Sequence, residues 1–160
     1  MSAAALVMRR ARREDLAAIV ALYADDFMGA TRETPPSATG ELAPQYVTAF
    51  AHLEGDENNQ LIVAELDGQV VGSCQLTFIW QLSHGGARVM QIEAVRIDAR
   101  LRGQRLGARM LEWAIERARV GGCRVVQLTS NTKRVEARRF YERLGFVASH
   151  VGMKLQLPHP

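Results

Sequence analysis

Gln91-Ile-Glu-Ala-Val-Arg-Ile-Asp-Ala-Arg-Leu-Arg-Gly-Gln-Arg-Leu-Gly107 is the stretch on which the reading of this 160-residue chain turns. Its first half has the composition of a β-strand. Its second half is an arginine-rich turn with two glycines, and Leu106–Val120 after it is the most helix-like segment of the chain. A strand that passes through such a turn into a helix N-terminus makes an anion cradle. The first helical amides have no partner of their own, and the helix dipole favours negative charge in front of them. Gly103 and Gly107 let the backbone come close to a ligand, while Arg102 and Arg105 supply charged donors. The spacing is neither Gly-x-x-x-x-Gly-Lys-Ser/Thr nor Gly-x-Gly-x-x-Gly. It also follows the fourth expected strand instead of opening the fold, which excludes the P-loop and argues against a dinucleotide fold.

Outward from this stretch the pattern is regular. Leu6–Arg9 is β-prone, and from Arg13 a helix opens with Leu16, Ile19, Val20 and Tyr23 at three- and four-residue steps. Glu14 and Asp15 sit in its first turn, where acids suit the dipole. Residues 28–44 read as a long connection, and Leu42–Leu53 as a second helix. Leu61–Leu66 and Gln69–Trp80 flank Asp67-Gly68, a strong hairpin signal. After a turn at Ser83–Gly86, the strand Ala87–Asp98 is expected to project Val89, Gln91, Glu93, Val95 and Ile97 on one side. Gly121-Gly122 stops the long helix; Arg124–Leu128 is a strand, Val135–Leu144 a helix, and Phe146–Leu157 a closing edge-like strand. The order β-α-α-β-β-β-α-β-α-β predicts one α/β (α+β) domain over residues 1–160, with helices packed on a mixed sheet.

Composition narrows the class. No stretch approaches the ~20 apolar residues of a membrane span. In the opening run Met1-Ser-Ala-Ala-Ala-Leu-Val-Met8 the arginines come after the short apolar stretch, the reverse of the order expected of a secretory signal. Cys74 and Cys123 stand far apart, and the 4 histidines show no helical pairing, so no metal site is expected. A reducing compartment fits best, and a cytoplasmic location is the expectation. The net charge of +3 conceals a split: residues 1–95 hold 6 Lys+Arg against 12 Asp+Glu, and residues 96–160 hold 14 against 5. The basic half calls for an anion. Nucleic acid, a membrane surface and a phosphorylated cofactor all qualify on charge alone, but the arginine-rich stretch lacks the interleaved aromatics of a nucleic-acid binder.

At Arg102-Gly-Gln-Arg-Leu-Gly107 the chain resembles the GNAT superfamily of acetyl-coenzyme A-dependent N-acetyltransferases, whose signature turn is Arg/Gln-x-x-Gly-x-Gly/Ala, with Arg105 here in place of the middle glycine. Ala137-Arg-Arg-Phe-Tyr141-Glu-Arg-Leu-Gly145-Phe146 is similar to the family's Ala-x-x-x-Tyr-x-x-x-Gly-Phe ending, and Arg9–Leu16 to its first strand and helix. The resemblance implies a mostly antiparallel sheet splayed between the fourth and fifth strands. It implies that backbone amides of Arg102, Gly103, Gln104, Arg105, Leu106, Gly107 and Ala108 hold the pyrophosphate of acetyl-coenzyme A. Backbone of Val95 and Ile97 would pair with the pantetheine arm, with the thioester near Val95. Asn131 would contact the same arm, although it stands ten residues before Tyr141 where the family more often has seven.

Two side chains are candidates for proton transfer. Tyr141 occupies the place of the family's general acid, and a phenol of ordinary pKa about 10 can protonate a departing thiolate. The alternative is a tyrosine that packs its ring on the sheet. Glu93 is the candidate base for an amine that arrives as ammonium; polyamine and amino-sugar members carry a glutamate at this offset, and histone-type members have theirs where this chain has Gln91. A substrate-binding or structural carboxylate, with water carrying the proton, is the other reading of Glu93. Phe78, Trp80 and the Trp80–Ala87 turn are expected near the acceptor cleft, and the acidic residues Asp25, Asp26, Glu33 and Glu41 suit a cationic amine. Trp113 reads as core and Arg134, Arg138, Arg139 and Arg143 as a solvated helix face, the alternative being that one of them meets the 3′-phosphate of coenzyme A. The implied activity is acetyl transfer to a primary amine by direct attack in a ternary complex, without metal. A homodimer, common in the family, is one expectation for assembly; nucleic acid and membrane are not expected partners. The alternative is a non-catalytic acyl-coenzyme A-binding or regulatory module of the same fold.

Overall fold

A computed structural model describes residues 5–158, so Met1–Ala4 of the opening run and the last two residues lie outside the described part. Among the described residues five strands and four helices longer than a single turn follow in the order β1 (Leu6–Arg10), α1 (Leu16–Ala24), α2 (Pro44–Leu53), β2 (Asn59–Leu66), β3 (Gln69–Trp80), β4 (Arg88–Ile97), α3 (Leu106–Val120), β5 (Cys123–Leu128) and α4 (Val135–Arg143). The strands lie in sequence order, antiparallel except for the parallel pair β4–β5. The hairpin between β2 and β3 turns at Asp67 and Gly68, with φ 49° and 80°. That pair of left-handed residues matches the right-handed twist of the strands it joins. Pro44 fixes the start of α2 at its first turn, two residues later than the apolar pattern alone suggests. Likewise α1 begins after a single 3-10 turn, Arg13–Asp15.

Both faces of the sheet are covered. Ile62, Ala64, Cys74, Leu76, Met90 and Ile92 pack with Met110, Leu111, Ala114 and Ala118 of α3. Leu61 and Val63 pack on the other face with Leu16 and Ile19 of α1 and Phe50 of α2. The uninterrupted apolar run of β2 follows from this double burial. Trp113 packs against the α3 core as the helix stripe predicts. No helix among the described residues is long and apolar enough to cross a membrane.

Three features position the site, and two of them depart from expectation. First, β5 pairs with β4 only from Arg88↔Cys123 to Ile92↔Leu128, so from Glu93 onward β4 has lost its neighbour. This is the expected splay. Second, β4 does not keep its alternation. Ser73 faces Arg96 and Gln75 faces Glu93, so β4 spends one extra residue where β3 advances by two. The surplus is a β-bulge at Ala94, whose φ is +51°. Beyond it the faces exchange: Val95 and Ile97 join Met90 and Ile92 against the α3 core, while Arg96 turns to α1. Glu93 and Val95 therefore do not share a face. Third, residues 146–157 form no strand: among the described residues they pair with neither edge of the sheet, and the Ser149 amide bonds the Val147 carbonyl in a tight local turn at 2.9 Å instead of a ladder.

Candidate functional site

The turn after β4 is built to leave donors free. The Asp98 amide anchors it to the Val71 carbonyl at 2.8 Å, and the Asp98 carboxylate accepts from the Arg100 amide at 2.9 Å. One 3-10 turn, Ala99–Leu101, then delivers the chain to Gly103 at φ +83° and Arg105 at φ +59°. Arg105 thus adopts the left-handed conformation that the motif's glycine would take, at a cost of roughly 1–2 kcal/mol for a residue with a Cβ. Its guanidinium lies out along α3, 3.7 Å from Glu112 in an exposed pair, so what it offers the cradle is its backbone. Among the described residues the amides of Gly103, Gln104, Arg105, Leu106, Gly107 and Ala108 have no hydrogen-bond partner; Arg109 makes the first helical bond, to the Arg105 carbonyl. Six consecutive unspent donors at a helix N-terminus form an anion site. The Arg102 side chain is exposed beside them.

Along the splay the two faces of β4 differ in chemistry. Val95 and Ile97 are half-buried toward α3, and the Val95 carbonyl accepts from the Arg96 guanidinium at 2.8 Å. Opposite lie Gln91, whose carboxamide oxygen accepts from Gln127 across the last rung but one at 3.2 Å, and Glu93, which is exposed at the point where the strands part. Glu93 is thus open to an incoming cation. Tyr141 sits half-buried on α4, its ring 5.2 Å from Phe140 and 6.0 Å from Phe146, against the α3 core. Burial pushes its phenol above the ordinary value, with the charges of Arg96 and Arg134 working the other way. The group is therefore a protonated donor at neutral pH. Asn131 is engaged in the turn that starts α4: its side-chain oxygen accepts from the Lys133 amide and its carbonyl from the Arg134 amide, both at 2.9 Å. That turn is a structural role for its side-chain oxygen.

Sequence reasoning missed a cluster on the face of β4 that Glu93 shares. Asp26, at the end of α1 and 8% exposed, binds Arg134 of the α4 entry through both oxygens, one at 2.9 Å and one closer. Arg96 approaches the same carboxylate to 3.6 Å and lies over the Tyr23 ring at 5.9 Å. Burial alone would raise the Asp26 pKa, but the Arg134 hydrogen bonds and the two guanidinium charges outweigh it and hold the carboxyl below its ordinary value. Burial lowers the Arg96 pKa, and Asp26 counters it. The Arg96 Nε is buried without a partner, an unspent donor in the middle of the cluster. Arg134 thus departs from the solvated face expected of it, whereas Arg138 and Arg139 keep to exposed pairs with Glu142 and Glu136. The acidic connection is also less acidic than it reads, since Asp26 is neutralised and Glu33 pairs with Arg32 while accepting from Tyr46.

Other expectations move elsewhere. Trp80 and the following turn sit at the start of β4, a strand length from the splay; Phe78 is buried there beneath the Arg88 guanidinium, 4.8 Å from the ring centre. Cys74 is buried, and burial pushes its thiol up to about 12, which leaves it unreactive.

Comparison with known proteins gives the following. Residues 16–146 match the model described as the acetyltransferase (GNAT) family. The chain is 36% identical over 95 residues to the aminoalkylphosphonate N-acetyltransferase of Salmonella typhimurium, covering 59% of this chain and 61% of that one. It is 32% identical over 132 residues to the glucosamine 6-phosphate N-acetyltransferase of Trypanosoma brucei brucei, covering 82% and 86%. Among solved structures, a protein described as a transcriptional regulator from Bacillus halodurans superposes with a TM-score of 0.91 at 41% identity, over 96% of this chain and 100% of the other.

Proposed function

The chain belongs to the acetyltransferase (GNAT) family, and from that premise we propose that it transfers an acetyl group from acetyl-coenzyme A to the primary amine of a small acceptor that also carries a phosphate or phosphonate. The observation that carries the first half is the run of six unspent amides from Gly103 to Ala108, beside a strand edge that the splay leaves open. Those donors fit the pyrophosphate of the cosubstrate, and the open edge of β4 past Ile92 fits its extended amide-bearing arm. Glu93 holds the acceptor ammonium and removes its proton, directly or through one water; Tyr141 returns a proton to the departing thiolate sulfur. The backbone amide at Val95 is the donor nearest the developing oxyanion in this reading.

The acceptor class has two supports. Both named relatives act on an amine that bears a phosphorus oxyanion. In this chain Arg96 and Arg134 stand on the Glu93 side of β4, and the Arg96 Nε awaits an acceptor. One molecule can then place its ammonium on the carboxylate and its oxyanion on the arginines. A second reading is favoured by one observation. The Bacillus halodurans structure is described as a regulator, and its whole length matches this domain. On that reading the chain binds the coenzyme and turns nothing over.

Thiol release decides between them. With acetyl-coenzyme A, an aminoalkylphosphonate or glucosamine 6-phosphate should liberate coenzyme A faster than the same amines without the phosphorus group. Tyr141→Phe should lower kcat by ~10²–10⁴-fold with little change in KM. Arg96→Gln should raise KM for the phosphorylated amine alone. Tight coenzyme binding with no thiol release from any of these amines hands the case to the regulatory reading.

A further inference from the structure

At the end of the sheet away from the splay, three strands and a helix close around a cleft of about 190 Å³. Gln60 lies at the start of β2, Phe78 near the end of β3 and Arg88 at the start of β4, while Arg117, Val120 and Gly121 come from the end of α3. Glu57, just before β2, completes the wall. The space is far more than the ~10–15 Å³ that one water needs and less than the ~300 Å³ at which drug-sized pockets begin. Its scale is that of a small organic molecule.

Two buried atoms in this wall have nothing to bind. Gln60 is 5% exposed. Its Nε2 donates to the Glu57 carbonyl at 2.9 Å, which fixes the carboxamide, and its Oε1 accepts from no group among the described residues. Arg88 donates from Nη1 to the Gly121 carbonyl at 2.9 Å and from Nη2 to the Asn58 side-chain oxygen at 3.3 Å. Its guanidinium is held over the Phe78 and Trp80 rings, and its Nε is buried without a partner. Buried polar atoms are rarely left so. Charge sorts the same way. Among the described residues neither Arg88 nor Arg117 forms an ion pair, whereas Glu57 brings a carboxylate to the Gln60 side, exposed and paired with Arg10 alone. Phe78 and Val120 supply the apolar part of the wall.

A ligand that suits this wall carries an anion for the arginines, an N–H donor for the Gln60 oxygen and a short apolar body. We propose that the cleft binds a free α-amino acid with an apolar side chain, its carboxylate on the Arg88 and Arg117 guanidinium groups and its ammonium on the Gln60 oxygen and the Glu57 carboxylate. The site is separate from the proposed acetyl transfer. Arg88 precedes Glu93 by five residues on β4, roughly 16 Å of strand at ~3.3 Å per residue, and none of the residues around the cleft takes part in that chemistry.

Isothermal titration calorimetry of the full chain with L-leucine, without acetyl-coenzyme A, tests it. Saturable binding is expected. Isocaproate and isoamylamine, the same body with one charged end each, should bind ~10–100-fold more weakly, the worth of a charge-assisted hydrogen bond. Gln60→Leu keeps the bulk and removes the oxygen; Arg117→Met removes an exposed cation and should leave the Tm unchanged. Each should weaken L-leucine by a similar factor. Glu93→Gln should bind it as the wild type does, which separates this cleft from the proposed acceptor site, where a primary amine is also received. No saturable binding, equal binding of the two single-ended analogues, or a loss in Glu93→Gln that Gln60→Leu and Arg117→Met do not share would overturn the proposal and leave the two unpartnered atoms to water.

Discussion

Replacing Asp26 by asparagine keeps the shape of the side chain and removes its charge, which makes it the cleanest perturbation of the cluster it forms with Arg96 and Arg134. In the native chain the carboxylate accepts two hydrogen bonds from Arg134 and one from the Met28 amide at 3.2 Å, and it faces Arg96 at 3.6 Å. It therefore ties three parts of the chain together: the end of α1, β4 just past the bulge, and the entry to α4. Unpairing one member of a buried ion pair costs about 3–5 kcal/mol. The two guanidinium groups here keep 21% and 15% of their side-chain exposure, so water recovers part of that loss. The expected destabilisation is ~2–3 kcal/mol, equivalent to about 5–10 °C in Tm for a chain of this length.

Urea denaturation of wild type, Asp26→Asn, Arg134→Gln and the double variant measures it. The cycle should return a coupling of ~1–3 kcal/mol, as expected for side chains that share a network. A second readout follows from electrostatics. Without Asp26, Arg96 and Arg134 have no counter-charge, so inorganic phosphate should raise the Tm of Asp26→Asn by more than it raises that of the wild type. A loss below ~0.5 kcal/mol together with additive single variants would show that the cluster contributes nothing to the fold, and the reasoning would fall.

Two further outcomes rest on the same geometry. Ala94 is exposed at φ +51°, so Ala94→Gly relieves roughly 1–2 kcal/mol of strain against ~0.5–1 kcal/mol of extra chain entropy; a thermal melt should show a Tm equal to or slightly above wild type, and Ala94→Val a clear fall. At Asp15, burial favours the neutral acid, but the Arg9 hydrogen bond, the Arg12 amide and both charges outweigh it and depress the pKa below 3.8. The stabilisation is thus complete above the unfolded carboxyl's pKa and disappears as pH falls through the folded one, so the wild type should lose more stability between pH ~5 and ~3 than Asp15→Asn does.

What the sequence made legible is what is local. The first half of β4, the stripe of α3, the Asp67-Gly68 hairpin and the arginine-rich turn each depend on residues a few positions apart, and each stands where it was expected. The contact between Asp26 and Arg134 joins residues 108 positions apart. No periodicity encodes such a contact; it exists because the splay brings the α4 entry to the end of α1. Phe146–Leu157 shows the converse. It reads as an edge-like strand, but a strand is a property of a pair, and among the described residues this segment pairs with none.

The bulge at Ala94 joins these threads. A single alanine in the left-handed region has no local signature, since its conformation is imposed by the register of β3 against a strand one residue too long. Its effect is nevertheless on every residue that follows. Under strict alternation Arg96 would share the face of Met90 and Ile92, both at most 1% exposed in the α3 core, where an unpaired guanidinium would be expelled or would break the packing. Val95 and Ile97 would in turn point at Tyr23 and Asp26. With the bulge, the apolar pair seals the core and the cation stands on the same side as Glu93. A carboxylate and a guanidinium three residues apart can share one face of a strand only if that strand miscounts once, and Ala94 is where it does.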